Sequence, residues 1–314
     1  MGSDTLQLIR KISDVSSTLQ YGAVAIGNFD GVHQGHAHLI RKLIEHARQN
    51  DGAAVVFTFD PHPVRLLRPA LAPVPLTWTE RKAELLGELG VDALIAYPTD
   101  ETLLSLSPQE FFLQIILESL RARAIVEGPN FFFGRDRVGD VHLLAELCQQ
   151  HSISMEIVQP VEVEDRYISS SRIRDLIAAG DMALAREMLT QPYRIRGMVT
   201  HGAARGAGLG FPTANVDAVD TLLPAPGVYA GRAYSEGEIW PAAIHLGPNP
   251  TFGEQAVKVE VHLIGYEGTL YGKPLEVDFL ERLREIHSFD GIDQLVAQLR
   301  VDVSQAADVC HNFE

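Results

Sequence analysis

Between about residue 20 and residue 190, short apolar runs alternate with longer stretches of helical period, and this rhythm narrows the fold more than any other feature of the chain. Ala23 to Ile26, Ala53 to Phe59, Val91 to Ala96 and Ala124 to Val126 read as buried strands. Gly35 to Gln49, Glu80 to Leu89, Pro108 to Leu120 and Val141 to Gln150 read as helices. Gly90 is placed to close the second helix, and Ser107 with Pro108 to open the third. Strand and helix in alternation imply an α/β domain with a mostly parallel sheet and helices on its faces.

Beyond residue 190 the rhythm changes. Residues 194–200, 227–234, 239–246, 257–264 and 275–280 are short β-like runs separated by Gly, Pro and Asn clusters. They suggest a small antiparallel barrel, closed by a helix from about Ile292 to Val309. With 314 residues the chain is long enough for two domains. The change of style at Thr190-Gln191-Pro192 divides it into 1–190 and 191–314.

Charge and cysteine content limit the partners. A net charge of −15 argues against nucleic acid, whose phosphates select clustered Lys and Arg. Any phosphate site must therefore rest on local dipoles and a bound cation. Cys148 and Cys310, far apart and outside any CxxC, read as two reduced thiols. The N-terminus shows no basic-then-apolar signal pattern, and no apolar run approaches the roughly 18 residues of a spanning helix. A cytoplasmic protein with no membrane partner is the expectation, and a homo-oligomer is compatible with the sequence.

The stretch from Gly27 to His36, GNFDGVHQGH, carries the most chemistry. A buried strand ends in a glycine-rich turn that feeds a helix, whose N-terminal N–H groups and partial positive charge favour phosphate. Gly31 and Gly35 leave room for backbone to approach a ligand. His33 and His36, three apart, fall on one face and can donate to a single phosphate. A metal pair is the alternative, but no further ligand cluster stands nearby. His38 and His46 lack this context and read as surface residues.

This stretch resembles the Gly-x-Phe-Asp-Gly-x-His-x-Gly-His signature of the nucleotidyltransferase superfamily, and further segments resemble its FAD synthetase branch. Phe57 to Pro63, FTFDPHP, is similar to the segment shaping the flavin pocket, which implies Phe59, Asp60, Pro61, His62 and Pro63 as flavin contacts. Gly128 to Gly134, GPNFFFG, resembles the loop near adenine and ribose, with Asn130 as its contact. Ile168 to Arg174, ISSSRIR, resembles the motif that meets the triphosphate through Ser170, Ser171 and Arg174, with Ser169 ranked below Ser170. The ATP site so implied comprises these residues with Gly27, Asn28, Phe29, Asp30, Gly31, His33, Gly35 and His36. The implied reaction is attack by an FMN phosphate oxygen on the α-phosphorus of ATP, releasing pyrophosphate, with His33 and His36 catalytic by positioning and charge stabilisation.

The second half carries another set. A glycine-dense loop, Gly202 to Gly210, runs into Phe211-Pro212-Thr213-Ala214-Asn215. Such a loop can wrap phosphates, and Thr and Asn can give Mg²⁺ neutral oxygen ligands. Val257 to Leu263 alternates strictly, with the valines on one face and Lys258, Glu260 and His262 on the other. From pattern alone an exposed polar face explains it. Phe211 to Asn215 closely resembles the riboflavin kinase motif, which implies Thr213 and Asn215 as metal ligands and Gly206 and Gly208 as nucleotide contacts. It also implies Glu260 as general base toward the ribityl 5′-hydroxyl attacking the γ-phosphorus of ATP, with His262 lining the pocket. Where relatives often carry Asn-Ile-Gly-x-Arg-Pro-Thr-Phe, this chain reads His245 to Phe252, HLGPNPTF, with Asn249 in place of Arg. Ala207 stands where a basic residue is frequent. The resemblance spans roughly residues 15 to 310 and implies a two-activity flavin-cofactor enzyme acting on riboflavin, FMN and ATP with Mg²⁺. The alternatives are a single-activity nucleotidyltransferase and a non-catalytic flavin-binding regulator.

Overall fold

A computed structural model describes residues 6–164, 166–202, 205–249, 251 and 255–313. Ala203, Ala204, Pro250, Phe252 and the Arg205 side chain lie outside the described residues. The chain divides into two compact units, one of residues 1–73 and 78–169, the other of 74–77 and 170–314.

The first unit is built on strands β1 (Gln7–Ile9), β2 (Ala23–Ile26), β3 (Ala54–Asp60), β4 (Ala93–Pro98), β5 (Ala124–Glu127) and β6 (Ser154–Ile157). They pair in the order β1-β4-β3-β2-β5-β6, parallel throughout. Successive residues of β2 feed opposite layers: Val24 and Ile26 join one core with Val55 and Phe57, while Ala23 and Ala25 join the other with Ala54 and Val56. Both faces are therefore covered, which is why these strands read as continuous apolar runs. β1 and β6 are additions to the four strands expected. Both are short edge strands, partly exposed, and carry little apolar signal. A small hairpin, β7 (Glu162–Val163) and β8 (Arg166–Tyr167), follows.

Four helices lie close to their expected spans, at Gln34–Gln49, Thr79–Glu88, Pro108–Phe111 and Val141–Gln150. The third departs in kind. Ser107 and Glu110 close a capping box at its start, but from Phe112 to Ser119 the turns widen to π-helix. Apolar spacing cannot separate that winding from an α-helix.

In the second unit, β9 (Tyr193–Thr200), β10 (Ala214–Asp217), β11 (Gly227–Ser235), β12 (Glu238–Gly247), β13 (Lys258–Leu263) and β14 (Pro274–Arg284) close into an antiparallel barrel in the order β10-β13-β12-β11-β14-β9. Inward residues are apolar, among them Val259, Val261, Leu275, Val277 and Phe279. β10 was hidden in the Thr213 to Asn215 motif, whose polar composition masks a four-residue strand. The helix Ile292–His311 packs on β11, β12 and β14. Helices Ser170–Ala179 and Met182–Met188 also group with this unit. Cys148 and Cys310 are free and buried. Among the described residues no helix is long and apolar enough to cross a membrane.

Candidate active sites

In the first unit the chain travels outward from β2 through β3 to β4, then returns to place β5 on the other side of β2. That reversal opens a crevice beyond the carboxyl ends of β2 and β5, the place where open parallel sheets bind ligands. The turn Gly27 to His33 leaves β2, the segment Pro61 to Pro63 leaves β3, and the loop Gly128 to Gly134 leaves β5. Three of the four motifs read from the sequence thus meet at one sheet edge. The fourth, with Ser170, Ser171 and Arg174, opens the helix Ser170–Ala179 of the other unit. There Ser170 and Arg174 are half-buried, Ser171 is exposed, and Arg174 Nε donates to the Val74 carbonyl at 2.9 Å.

The β2 turn is strained. Phe29 (φ 45°) and Val32 (φ 39°) adopt left-handed backbone although both are buried and Val32 is β-branched. Gly31 (φ 84°) completes the bend. Non-glycine residues in that region cost about 1–3 kcal/mol each and persist where the surroundings over-determine them.

His33 is the N-cap of the helix Gln34–Gln49, and His36 its third residue. The two cap each other: the His36 N–H donates to His33 Nδ1 at 3.2 Å, and the His33 N–H donates to His36 Nδ1 at 3.3 Å. Their rings stack with centroids 3.6 Å apart. Gly35 serves this packing, because a Cβ there would stand 3.1 Å from the His33 ring. Hence Gly35 makes room for the His33 side chain. The expectation that the helix N–H groups themselves face phosphate also changes for these two residues, since the imidazoles occupy them. In exchange the tautomers are fixed. With both Nδ1 atoms accepting, a neutral ring carries its proton on Nε2, so the pair offers two Nε2–H donors. Burial keeps both rings neutral: His33 is lowered to about 4, partly opposed by Asp30, and His36 is lowered well below its ordinary value by burial and then by the proximity of His33 and Lys82.

Asn28 extends the donor set. Its side-chain amide lies 2.9 Å from His62 Nε2, while His62 Nδ1 accepts the Val64 N–H at 3.1 Å. A neutral His62 therefore carries its proton on Nε2, which assigns the amide atom facing it as the Asn28 oxygen. Among the described residues the other end of the amide is buried without a partner, and so oriented it is an NH₂ donor. At the neighbouring strand end, burial holds the Glu127 carboxyl well above the usual carboxylate range, and Glu127 ties β2 to β5 by accepting the Ile26 N–H at 2.6 Å. Phe59, Asp60, Pro61, His62 and Pro63 are half-buried, and Asp60 accepts from Thr79 Oγ1 at 2.7 Å. Asn130 is exposed on a loop anchored by buried Phe133, which pairs with Gly139. His38 and His46 are half-buried rather than superficial, and His46 Nε2 lies 2.8 Å from Glu156 Oε2.

The second unit holds a cavity of about 140 Å³. Gly206, Thr213, Asn215, Asn249, Glu260 and His262 form a polar wall; Phe211, Val228, Ile286, Phe289, Leu295 and Leu299 are among the apolar lining. Strand register assembles the polar wall: Glu260 on β13 pairs with Asn215 on β10 and with His245 on β12. Glu260 is half-buried on a cavity wall, so the exposed-face explanation of its alternating strand does not hold. Asn249 Nδ2 donates to Glu260 Oε1 at 3.2 Å, so the residue standing where Arg is common engages the carboxylate. His262 lines the cavity with Nδ1 2.7 Å from the Pro212 carbonyl. Gly206 is required by close packing, since a Cβ would meet the Phe211 carbonyl oxygen at 2.4 Å, while Gly208 faces open space.

Two further features stand outside every motif of the sequence. Arg284 donates to both oxygens of buried Asp302 (2.9 and 2.7 Å) on the cavity wall, linking the barrel to its closing helix. Lys82, in the first unit, is a buried cation. Its signal was present: it stands three and four residues before Leu85 and Leu86, on the apolar face of its helix.

Comparison with known proteins agrees with both halves. The FAD synthetase family matches residues 15–172 and the riboflavin kinase family residues 189–310. The bifunctional riboflavin kinase/FMN adenylyltransferase of Pseudomonas fluorescens is 34% identical over 302 residues, covering 96% of this chain and 97% of that protein. That of Bacillus subtilis is 34% identical over 288 residues, covering 90% of each. A crystal structure described as a macrolide-efflux protein from Streptococcus pneumoniae is 32% identical, with a TM-score of 0.83 over 96% of this chain and 99% of that one. With both family patterns in one chain and relatives aligned along nearly all of it, the chain belongs to the bifunctional riboflavin kinase/FMN adenylyltransferase family.

Proposed function

We infer that this chain is a bifunctional transferase of flavin-cofactor synthesis. Riboflavin and ATP give FMN and ADP in the second unit, and FMN and a second ATP give FAD and pyrophosphate in the first. The observation that carries the reading is the convergence of Thr213, Asn215 and Glu260 on one half-apolar cavity.

In the kinase reaction, the apolar wall suits a flavin ring and leaves the ribityl chain toward Glu260. Glu260 takes the proton of the 5′-hydroxyl as its oxygen attacks the γ-phosphorus. Asn249 holds one carboxylate oxygen, leaving the other for substrate. The donor set fits Mg²⁺ arriving with the nucleotide: Thr213 and Asn215 offer neutral oxygens, and no group of three or more His, Cys, Asp or Glu among the described residues could cage a metal. Bound there, the ion would neutralise phosphate charge, with Thr213 and Asn215 as its protein ligands.

In the adenylyl transfer no protein nucleophile is needed. The Nε2–H groups of His33 and His36 and the Asn28 amide face the phosphates, stabilising charge that moves onto the departing pyrophosphate. Phe59 to Pro63 border the flavin, Asn130 the nucleoside, and Ser170, Ser171 and Arg174 the triphosphate. We assign residues 1–190 to this activity and 191–314 to the kinase.

Two variants test the separation. Glu260→Gln should abolish FMN formation yet convert supplied FMN to FAD at the wild-type rate, and His36→Ala should do the reverse, losing about 10²-fold or more in FAD formation. Loss of both activities in both variants would refute two separable sites.

A further inference from the structure

Lys82 lies on the first turn of the helix Thr79–Glu88, 8% exposed, at a position that faces the core. A buried ammonium ordinarily has a close carboxylate or several acceptors, because burying charge without them is costly. Here, among the described residues, its one hydrogen bond is long, 3.5 Å to Thr58 Oγ1, and Thr58 in turn donates to the Asn28 carbonyl at 3.3 Å. Asp30 and Asp60 act on it through space without an ion pair among the described residues. Its charge reaches the ring of His36, one of the proposed phosphate donors. Thr58 ties it to the same turn that carries Asn28. Lys82 is thus an under-compensated cation beside the turn that carries Asn28, with Asp30 and Asp60 acting on it only through space.

We infer that Lys82 is a further phosphate-binding residue of the adenylyltransferase site, its ammonium completed by a phosphate oxyanion of FMN or ATP. The inference rests on the adenylyl-transfer reading of the first unit and adds a full positive charge beside the neutral donors His33, His36 and Asn28. Burial lowers its basicity, but Asp30 and Asp60 oppose that, and an arriving phosphate would favour the charged form further.

Lys82→Met tests it, since methionine fills similar volume without the charge. If the lysine serves the fold, the variant should melt lower. If it serves phosphate, removing an uncompensated buried charge should leave melting equal or higher, while FAD formation falls at least about 10²-fold and the kinase rate stays unchanged. Separate KM values for FMN and ATP then show which phosphate it meets. Inorganic pyrophosphate supplies an arm independent of turnover. In a Trp240→Phe background, Trp78 reports unfolding of the first unit, and pyrophosphate should stabilise the Lys82 protein and not Lys82→Met. Normal FAD formation by Lys82→Met, loss of activity together with lowered melting, or equal pyrophosphate stabilisation of both proteins would each overturn the inference. If wild type makes no FAD yet shows Lys82-dependent pyrophosphate stabilisation, the adenylyl-transfer reading falls and the phosphate site stands.

Discussion

Replacing His33 by Asn isolates the acid sensitivity that a buried, neutral imidazole gives the first unit. In the folded chain His33 is lowered to about 4 from its ordinary 6.5, chiefly by burial. The unfolded chain therefore takes up the proton first as pH falls. The stability tied to this group is whole above about 6.5 and is lost progressively as pH drops toward 4. At pH 5 the unfolded form is mostly protonated and the folded form mostly not, so the loss amounts to about 2 kcal/mol relative to pH 7.5. Asn can keep the N-cap, its side-chain oxygen accepting the His36 N–H, but cannot titrate. Urea unfolding at pH 7.5 and pH 5, followed by Trp78 fluorescence in a Trp240→Phe background, measures the difference. Wild type should lose about 2 kcal/mol more than His33→Asn between the two pH values. Equal pH dependence in the two proteins would refute the reasoning, because it would mean that His33 is not held neutral by its surroundings.

Further outcomes follow from the second unit. Asp302→Ala leaves Arg284 uncompensated on the cavity wall and should destabilise that unit by about 3–5 kcal/mol, read by Trp240 fluorescence in a Trp78→Phe background. Asn249→Ala frees one oxygen of Glu260 and should lower kcat for FMN formation by about tenfold with little change in KM for riboflavin, as expected for losing a hydrogen bond to a charged group. Thr213→Val should raise the Mg²⁺ concentration needed for half-maximal FMN formation and leave FAD formation from FMN untouched.

Much of this architecture was legible in the chain. The buried strands of the first unit read as unbroken apolar runs because both faces are covered, and the barrel announced itself through alternation between turn residues. Edge strands Gln7–Ile9 and Ser154–Ile157 escaped because one side of each meets solvent. The four-residue strand Ala214–Asp217 escaped because it is short and its polar residues face the cavity (Asn215) or solvent (Asp217). For the sites, motifs named most of the residues but not how they work. Spacing alone could not reveal that His33 and His36 cap one another, nor that Asn249, just past β12, would reach Glu260 on the adjacent strand. Lys82 was overlooked because a lysine in an amphipathic helix is ordinarily solvated, and its placement three and four residues before core leucines was the contrary sign.

The central claim is that one polypeptide carries two ATP sites, one cleaving at the γ-phosphorus and the other at the α-phosphorus. Chromatography of the products formed from riboflavin, ATP and Mg²⁺ over time tests it most directly. The account predicts FMN with ADP first, then FAD with pyrophosphate, both made by the single purified chain. An accumulation of FMN that never becomes FAD, or riboflavin left unchanged while supplied FMN is adenylylated, would contradict it.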